Sequence, residues 1–238
     1  MQNYFSVGVL AAATRRVAQL RSRHPRACAS ALTMKSLYAL VGFHRVVCNG
    51  GGGCATCFRG GTEAVGSVIA SLRVDGQLVE VPKHCRELLL INIPSMASGN
   101  APWRTSKSLP DMTGDAIDDG QLEILAICKV IPTMVGWTYN KALRNLGLGW
   151  GGSGSHFKNR LSRKSIFRLG QGSVVQMGFK GATKISAQVD GEAWGFTAEG
   201  ETITVSQAGR VPMILGPHFS GRATQSGVAA GTLSSDTK

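Results

Sequence analysis

The run Leu88-Leu89-Leu90-Ile91-Asn92-Ile93 ends directly on Pro94, and the small residues Ser95, Ala97, Ser98 and Gly99 lead from there towards Trp103. A short, nearly unbroken apolar run reads as a buried strand. Pro94 removes a backbone donor and stops its ladder. The small residues that follow leave the backbone uncovered, as a loop that meets another surface closely would need.

The flanking segments supply more strands and the turns between them. Residues 4–9 read as a short opening strand, residues 11–23 as a helix ended by Pro25, and residues 30–43 as a second helix with an apolar stripe of Leu32, Leu37, Leu40 and Val41. From Ser71 the character turns to β. Leu72, Val74, Leu78, Val79 and Val81 flank Asp75-Gly76, a strong hairpin signal. Leu122–Cys128 is apolar throughout and reads as a central strand, and Met134–Leu146 reads as a helix. Ser173–Phe179, Thr183–Val189 and Thr202–Ser206 alternate as short strands separated by turn residues. The expected fold is mainly β (α+β): a two-layer β-sandwich with two N-terminal helices. The glycine-rich stretch at about 44–66 and the basic, glycine-rich stretch at about 147–165 read as inserts. Residues 217–238, with no periodicity, read as a disordered tail.

Of the 238 residues 43% are apolar, enough for a core. No apolar run approaches the ~18 residues of a membrane span, so any bilayer contact is expected to be peripheral. The net charge of +12 points to an anionic partner. Arg15, Arg16, Arg21, Arg23, Arg26, Lys35, Arg45 and Arg59 all precede the first acid, Glu63. Such a start is compatible with a mitochondrial transit peptide, with a solvated helix face, or with a basic helix on acidic lipid headgroups, where each Arg adds about 1 kcal/mol. Only 6% of residues are aromatic and they are not interleaved with the basic ones, which argues against nucleic acid as a partner. The six cysteines, with no secretory signal, do not read as a disulfide framework. Cys54-Ala-Thr-Cys57 has no second pair at zinc-site spacing, and Cys48 and Cys85 could join it only through folding.

Asp190 and Glu192 are the sharpest candidates for chemistry. On a strand, residues i and i+2 share a face, so two carboxylates would converge there. The competing reading is turn chemistry, because Asp-Gly occurs three times, at Asp75-Gly76, Asp119-Gly120 and Asp190-Gly191.

Several segments, in order, resemble the accessory domain of eukaryotic diacylglycerol kinases. They are Asn3-Tyr4-Phe5-Ser6-Val7-Gly8-Val9, then His24-Pro25 with Leu37-Tyr38-Ala39, then Ile91-Asn92-Ile93-Pro94-Ser95 with Gly99 and Trp103. Asp118-Asp119-Gly120-Gln121-Leu122-Glu123-Ile124 and Gln188-Val189-Asp190-Gly191-Glu192-Ala193-Trp194 complete the set. The resemblance covers about 1–216 and implies an ATP-dependent transfer of the γ-phosphoryl group to the hydroxyl of diacylglycerol, giving phosphatidate, with Mg²⁺ offsetting phosphate charge. It implies Glu192 as proton acceptor and Asp190 as its neighbour in orientation or metal contact. It implies Asp119 as a ligand of a bracing Mg²⁺, together with the carbonyls of Ala116 and Gln121. In this family ATP sits mainly on a separate domain with a Gly-Gly-Asp-Gly-Thr loop. Neither that loop nor a Walker A sequence occurs here, so the expected partner is a catalytic kinase domain in cis or trans. The implied location is cytoplasmic and peripheral to membranes. The alternative function is a non-catalytic basic module that binds acidic lipid surfaces. A sphingoid or ceramide kinase would share this architecture. One departure from the family is Leu10, where an aspartate is usual.

Overall fold

The computed structural model describes residues 3–26, 28–48, 64–93, 119–130 and 165–209. Strand β1 (Tyr4–Gly8) opens the chain, followed by helices α1 (Val9–Arg23) and α2 (Ala31–Cys48) and a single helical turn, α3 (Val65–Val68). Among the described residues nine further strands follow: β2 (Ile69–Val74), β3 (Gln77–Val79), β4 (Glu87–Ile91), β5 (Leu122–Ile127), β6 (Ile166–Gly172), β7 (Val174–Phe179), β8 (Lys184–Val189), β9 (Glu192–Thr197) and β10 (Thr202–Ser206).

These strands form two sheets. One has six strands in the order β6-β5-β4-β1-β8-β9, and the other has four in the order β10-β7-β2-β3. Every described pairing is antiparallel. The expectation of a mainly β sandwich with N-terminal helices holds. Strands after residue 165 complete both sheets: β8 pairs with β1, and β7 with β2. The first and last parts of the chain are therefore one folded unit.

The apolar run of the sequence sits in the middle of this arrangement. All five residues of β4 and all six of β5 are buried. Register explains how both faces are used. Leu88 and Leu90 lie beside Ala126 and Ile124 and beside Val7 and Phe5. These pack with Leu72 and Val74 of β2 and Val175, Met177 and Phe179 of β7 as the core between the sheets. The alternate residues Leu89, Ile91, Leu125 and Ile127 join Val9, Val130 and Ile166 in a second apolar cluster on the outer face. Each fully buried Leu or Ile contributes about 1.5–3 kcal/mol, so β4 and β5 anchor both layers.

Helix α1 lies across the outer face over β1, β8 and β9. A Cβ on Gly195 of β9 would collide with the Arg15 guanidinium, so that backbone is left bare for the arginine. Helix α2 rests on α1. It extends to Cys48, past the expected end at 43, and Leu40 of the expected apolar stripe is 66% exposed. The stripe is corrected at that position: a helix supported mainly along one neighbour buries a narrower face than its sequence offers. No helix among the described residues is long and apolar enough to cross a membrane. The loop from Pro94 to Trp103, the expected helix at 134–146, most of both inserts and the C-terminal tail lie outside the described residues.

Candidate functional site

The hairpin between β8 and β9 carries the two acids singled out in the sequence. Asp190 has φ 50° and Gly191 φ 95°, the two left-handed positions of a two-residue hairpin turn. Asp190 tolerates that conformation because its side chain is short and polar and is held by hydrogen bonds. Its Oδ1 accepts the backbone N–H groups of Asn3, at 2.9 Å, and Tyr4, at 2.8 Å. Its own N–H donates to the Tyr4 carbonyl at 3.0 Å. The carboxylate thus fastens the start of β1 to the turn.

Asp75 performs the same task in the other sheet. It has φ 48° beside Gly76 at φ 83°. Its carboxylate accepts from Ser173 and Val174, the latter at 2.8 Å, and its N–H donates to the Val174 carbonyl at 2.8 Å. Two Asp-Gly turns therefore each clamp the first residues of a neighbouring strand.

Glu192 is exposed and begins β9, opposite Val189. The premise that Asp190 and Glu192 are i and i+2 neighbours on one strand is corrected: Asp190 is in the turn and Glu192 is the first strand residue after it. The physical reason is the Asp-Gly pair itself, which makes the chain reverse between them. Phe5 and Trp194, two residues on from Glu192, are tilted against each other with centroids 6.3 Å apart, and Trp194 remains 41% exposed. The rim around Glu192 thus combines an accessible carboxylate with exposed aromatic surface.

Asp119 is half-buried, and its Oδ1 accepts the Gln121 N–H at 2.9 Å, the local turn such residues favour. Gly120 follows at φ 74°. Of the ligands expected for a bracing Mg²⁺, Ala116 lies outside the described residues. Among the described residues no group of three or more His, Cys, Asp or Glu side chains is placed to hold a metal ion. Asp119 therefore offers one carboxylate and its turn, enough only for a hard cation that keeps most of its waters.

The sequence reading missed a fourth acid, Glu87. It is fully buried at the head of β4 and faces the first turn of α1. That helix has no side-chain cap of its own, because Gly8 precedes it. Residues 86 and 87 satisfy its orphan donors instead. Val9 N–H donates to the Arg86 carbonyl at 3.1 Å, Leu10 N–H to Glu87 Oε2 at 2.8 Å, and Ala11 N–H to Oε1 at 3.3 Å. Ser6 also hydrogen-bonds the carboxylate, and Gln188 Nε2 donates to Ser6 Oγ at 2.8 Å. Burial pushes the Glu87 carboxyl up to about 7, against the lowering effect of Ser6 and the two helix N–H groups. A Cβ on Gly8 would strike the Arg86 carbonyl and sit 2.6 Å from Glu87 Oε2, so glycine is required for the carboxylate to reach the helix. Leu10, where an acid was expected from the resemblance, turns its side chain to the outer apolar cluster, and the nearby carboxylate comes from β4. The signal available in sequence was a lone acid at the head of an apolar strand, a position that is buried only if something polar waits for it.

Comparison with known proteins agrees with this architecture. The family model for the diacylglycerol kinase accessory domain matches residues 1–142, more than half of the 238. Over 194 residues the chain is 27% identical to human diacylglycerol kinase kappa, covering 82% of this chain and 12% of that protein. It is 26% identical over 194 residues to diacylglycerol kinase eta of Drosophila melanogaster, covering 82% of this chain and 8% of that protein. The chain thus corresponds to a small part of these relatives. By its sandwich and its match over residues 1–142, the chain belongs to the diacylglycerol kinase accessory domain family.

Proposed function

We propose that this chain is the lipid-side part of an ATP-dependent diacylglycerol kinase, working with a nucleotide-binding domain in cis or trans to form phosphatidate. The single observation that carries this reading is the family match over residues 1–142. Within it, Glu192 is the proposed proton acceptor for the substrate hydroxyl. A base must be reachable by substrate, and Glu192 is exposed at the head of an edge strand. Asp190 is a positioning residue, since its carboxylate holds the turn against Asn3 and Tyr4. When bound, Mg²⁺ would offset phosphate charge, with Asp119 as the one acid proposed here to hold an ion that braces the fold. The proposed setting is the cytoplasmic face of a membrane, where the lipid substrate lies.

The test is reconstitution. The chain alone should not phosphorylate diacylglycerol, and adding or fusing a family catalytic domain should give turnover. In that assembly Glu192→Gln should lower kcat by about 100-fold or more while the melting temperature stays unchanged. Full activity in the variant would reject Glu192 as the base.

A second reading is a basic module that binds acidic lipid. It is favoured by Arg15, Arg21, Arg23 and Arg26, which are all exposed on or just after α1. It requires vesicle binding that rises with anionic lipid and falls with salt, without nucleotide. Equal binding to neutral vesicles would reject it.

A further inference from the structure

Two thiols lie apart from the β8–β9 hairpin, one of them beside Glu87. Cys85 is fully buried just before β4, and Cys128 is 8% exposed just after β5. Their strands are antiparallel neighbours in register through Glu87 opposite Ile127, and the Arg86 N–H donates to the Ile127 carbonyl at 2.9 Å. This pairing brings the head of one strand beside the tail of the other. Both side chains belong to the core cluster between the sheets, and both are free thiols. The two side chains interact directly, and Cys85 S–H donates to the Glu87 carbonyl at 3.1 Å. Backbone bonds hold each residue in place: Cys85 N–H to the Pro82 carbonyl at 2.8 Å, Gly66 N–H to the Cys85 carbonyl at 3.0 Å, and Cys128 N–H to the Ser165 carbonyl at 2.8 Å.

We propose that Cys85 and Cys128 are a reversible dithiol–disulfide pair, oxidised by a peroxide into a covalent clamp across the β4–β5 end of the sandwich. The two cysteines divide the work by environment. The interaction with Cys85 holds the Cys128 thiol below its ordinary value. The same interaction, together with burial, pushes the Cys85 thiol up. Cys128, at the less buried position, is therefore the attacking sulfur. Its thiolate attacks one peroxide oxygen, the O–O bond breaks, and after protonation one water leaves, giving a sulfenic acid. Cys85 then gives up its proton and attacks that sulfur. The S–S bond forms, the S–O bond breaks, and a second water leaves. Two thiols are oxidised by two electrons and one hydrogen peroxide is reduced to two waters. Side-chain torsions must close the sulfurs to the ~2.05 Å of a disulfide. The loop so closed runs from Cys85 to Cys128 and contains the Pro94–Trp103 stretch, so the clamp would restrain both ends of the segment that follows β4.

The proposal is independent of phosphoryl transfer. The full chain is treated with hydrogen peroxide, then digested without reductant and mapped by mass spectrometry. The expected result is a Cys85–Cys128 cross-linked peptide that dithiothreitol removes, with a melting temperature raised by about 5–10 °C in the oxidised protein. Cys128→Ser and Cys85→Ser should each abolish that rise, and Cys28→Ser should retain it. If a serine variant fails to fold, the peptide map of the wild-type chain decides alone. Cys85 left reduced while Cys128 runs on to sulfinic or sulfonic acid would overturn the proposal. So would Cys85 cross-linked to another cysteine, or the same cross-link forming equally fast in the urea-unfolded chain.

Discussion

Raising the pH from 4.5 to 8 should weaken this fold through one residue, Glu87. Its carboxyl is fully buried, and burial moves it from 4.5 up to about 7. The folded state therefore holds the proton more tightly than the unfolded chain does. The stabilisation is complete below the unfolded value and is lost as pH rises through about 7. A carboxyl displaced from 4.5 to about 7 makes the folded state less stable by about 3 kcal/mol once ionised, at ~1.36 kcal/mol per pH unit. The groups facing it are Ser6, the Leu10 and Ala11 N–H groups, Tyr4 and Cys85, and the last two are themselves pushed up in part by the Glu87 charge. The perturbation is Glu87→Gln, nearly isosteric with the protonated acid. Urea unfolding followed by circular dichroism at steps from pH 4.5 to 8 gives the free energy of each protein. The histidines and surface carboxylates are common to both and cancel in the difference. One of the two oxygens that accept helix N–H groups becomes a donor, so near pH 4.5 the variant should be the less stable by about 1–3 kcal/mol, and by pH 8 it should gain about 3 kcal/mol on the wild type. Parallel curves across the whole range would refute the buried, uncharged carboxyl as the cap of α1.

Removing the cap outright is a separate matter. Glu87→Ala should cost about 2–4 kcal/mol near pH 4.5, since it strands two helix N–H groups and Ser6 in a dry site, and by the same linkage about 3 kcal/mol less by pH 8. Gly8→Ala should cost at least about 2 kcal/mol in thermal unfolding, because its φ of 135° and the Arg86 carbonyl leave no room for a methyl. Asp190→Ala and Asp75→Ala should each lose about 1–3 kcal/mol, with Asn at either position recovering about half. An Asp190→Ala protein of unchanged stability would reject the strand-fastening role. Millimolar Mg²⁺ should raise the melting temperature of the wild type and leave Asp119→Asn unmoved, and equal shifts in both would place the ion elsewhere.

Much of the fold was legible along the chain because its signals are local. The period-2 stretches before Phe179, Val189 and Ser206 became β7, β8 and β10, and Asp75-Gly76 became the β2–β3 turn. Strand β6 was missed because the basic residues before it read as one continuous insert and its own burial is intermediate over most of its length. Strand β9 offers little pattern of its own: it is an edge strand, half solvent-facing, and its register comes from β8. The site divided in the same way. Glu192 and Asp190 were visible as residues, but which of them is held and which is accessible depends on Asn3 and Tyr4 arriving beside the turn from the far end of the chain.

The alternating strands β7, β8 and β10, the Asp75-Gly76 reversal and the family to which the chain belongs are properties of the amino-acid sequence, since turn chemistry, alternation and motif order act between near neighbours. Tertiary structure alone decided that Glu87 would cap a helix 77 positions away and that Cys85 would meet Cys128. Both contacts are made by closing long loops across the β1–β4–β5 core, and a buried carboxylate or thiol acquires its character from the partners that closure delivers.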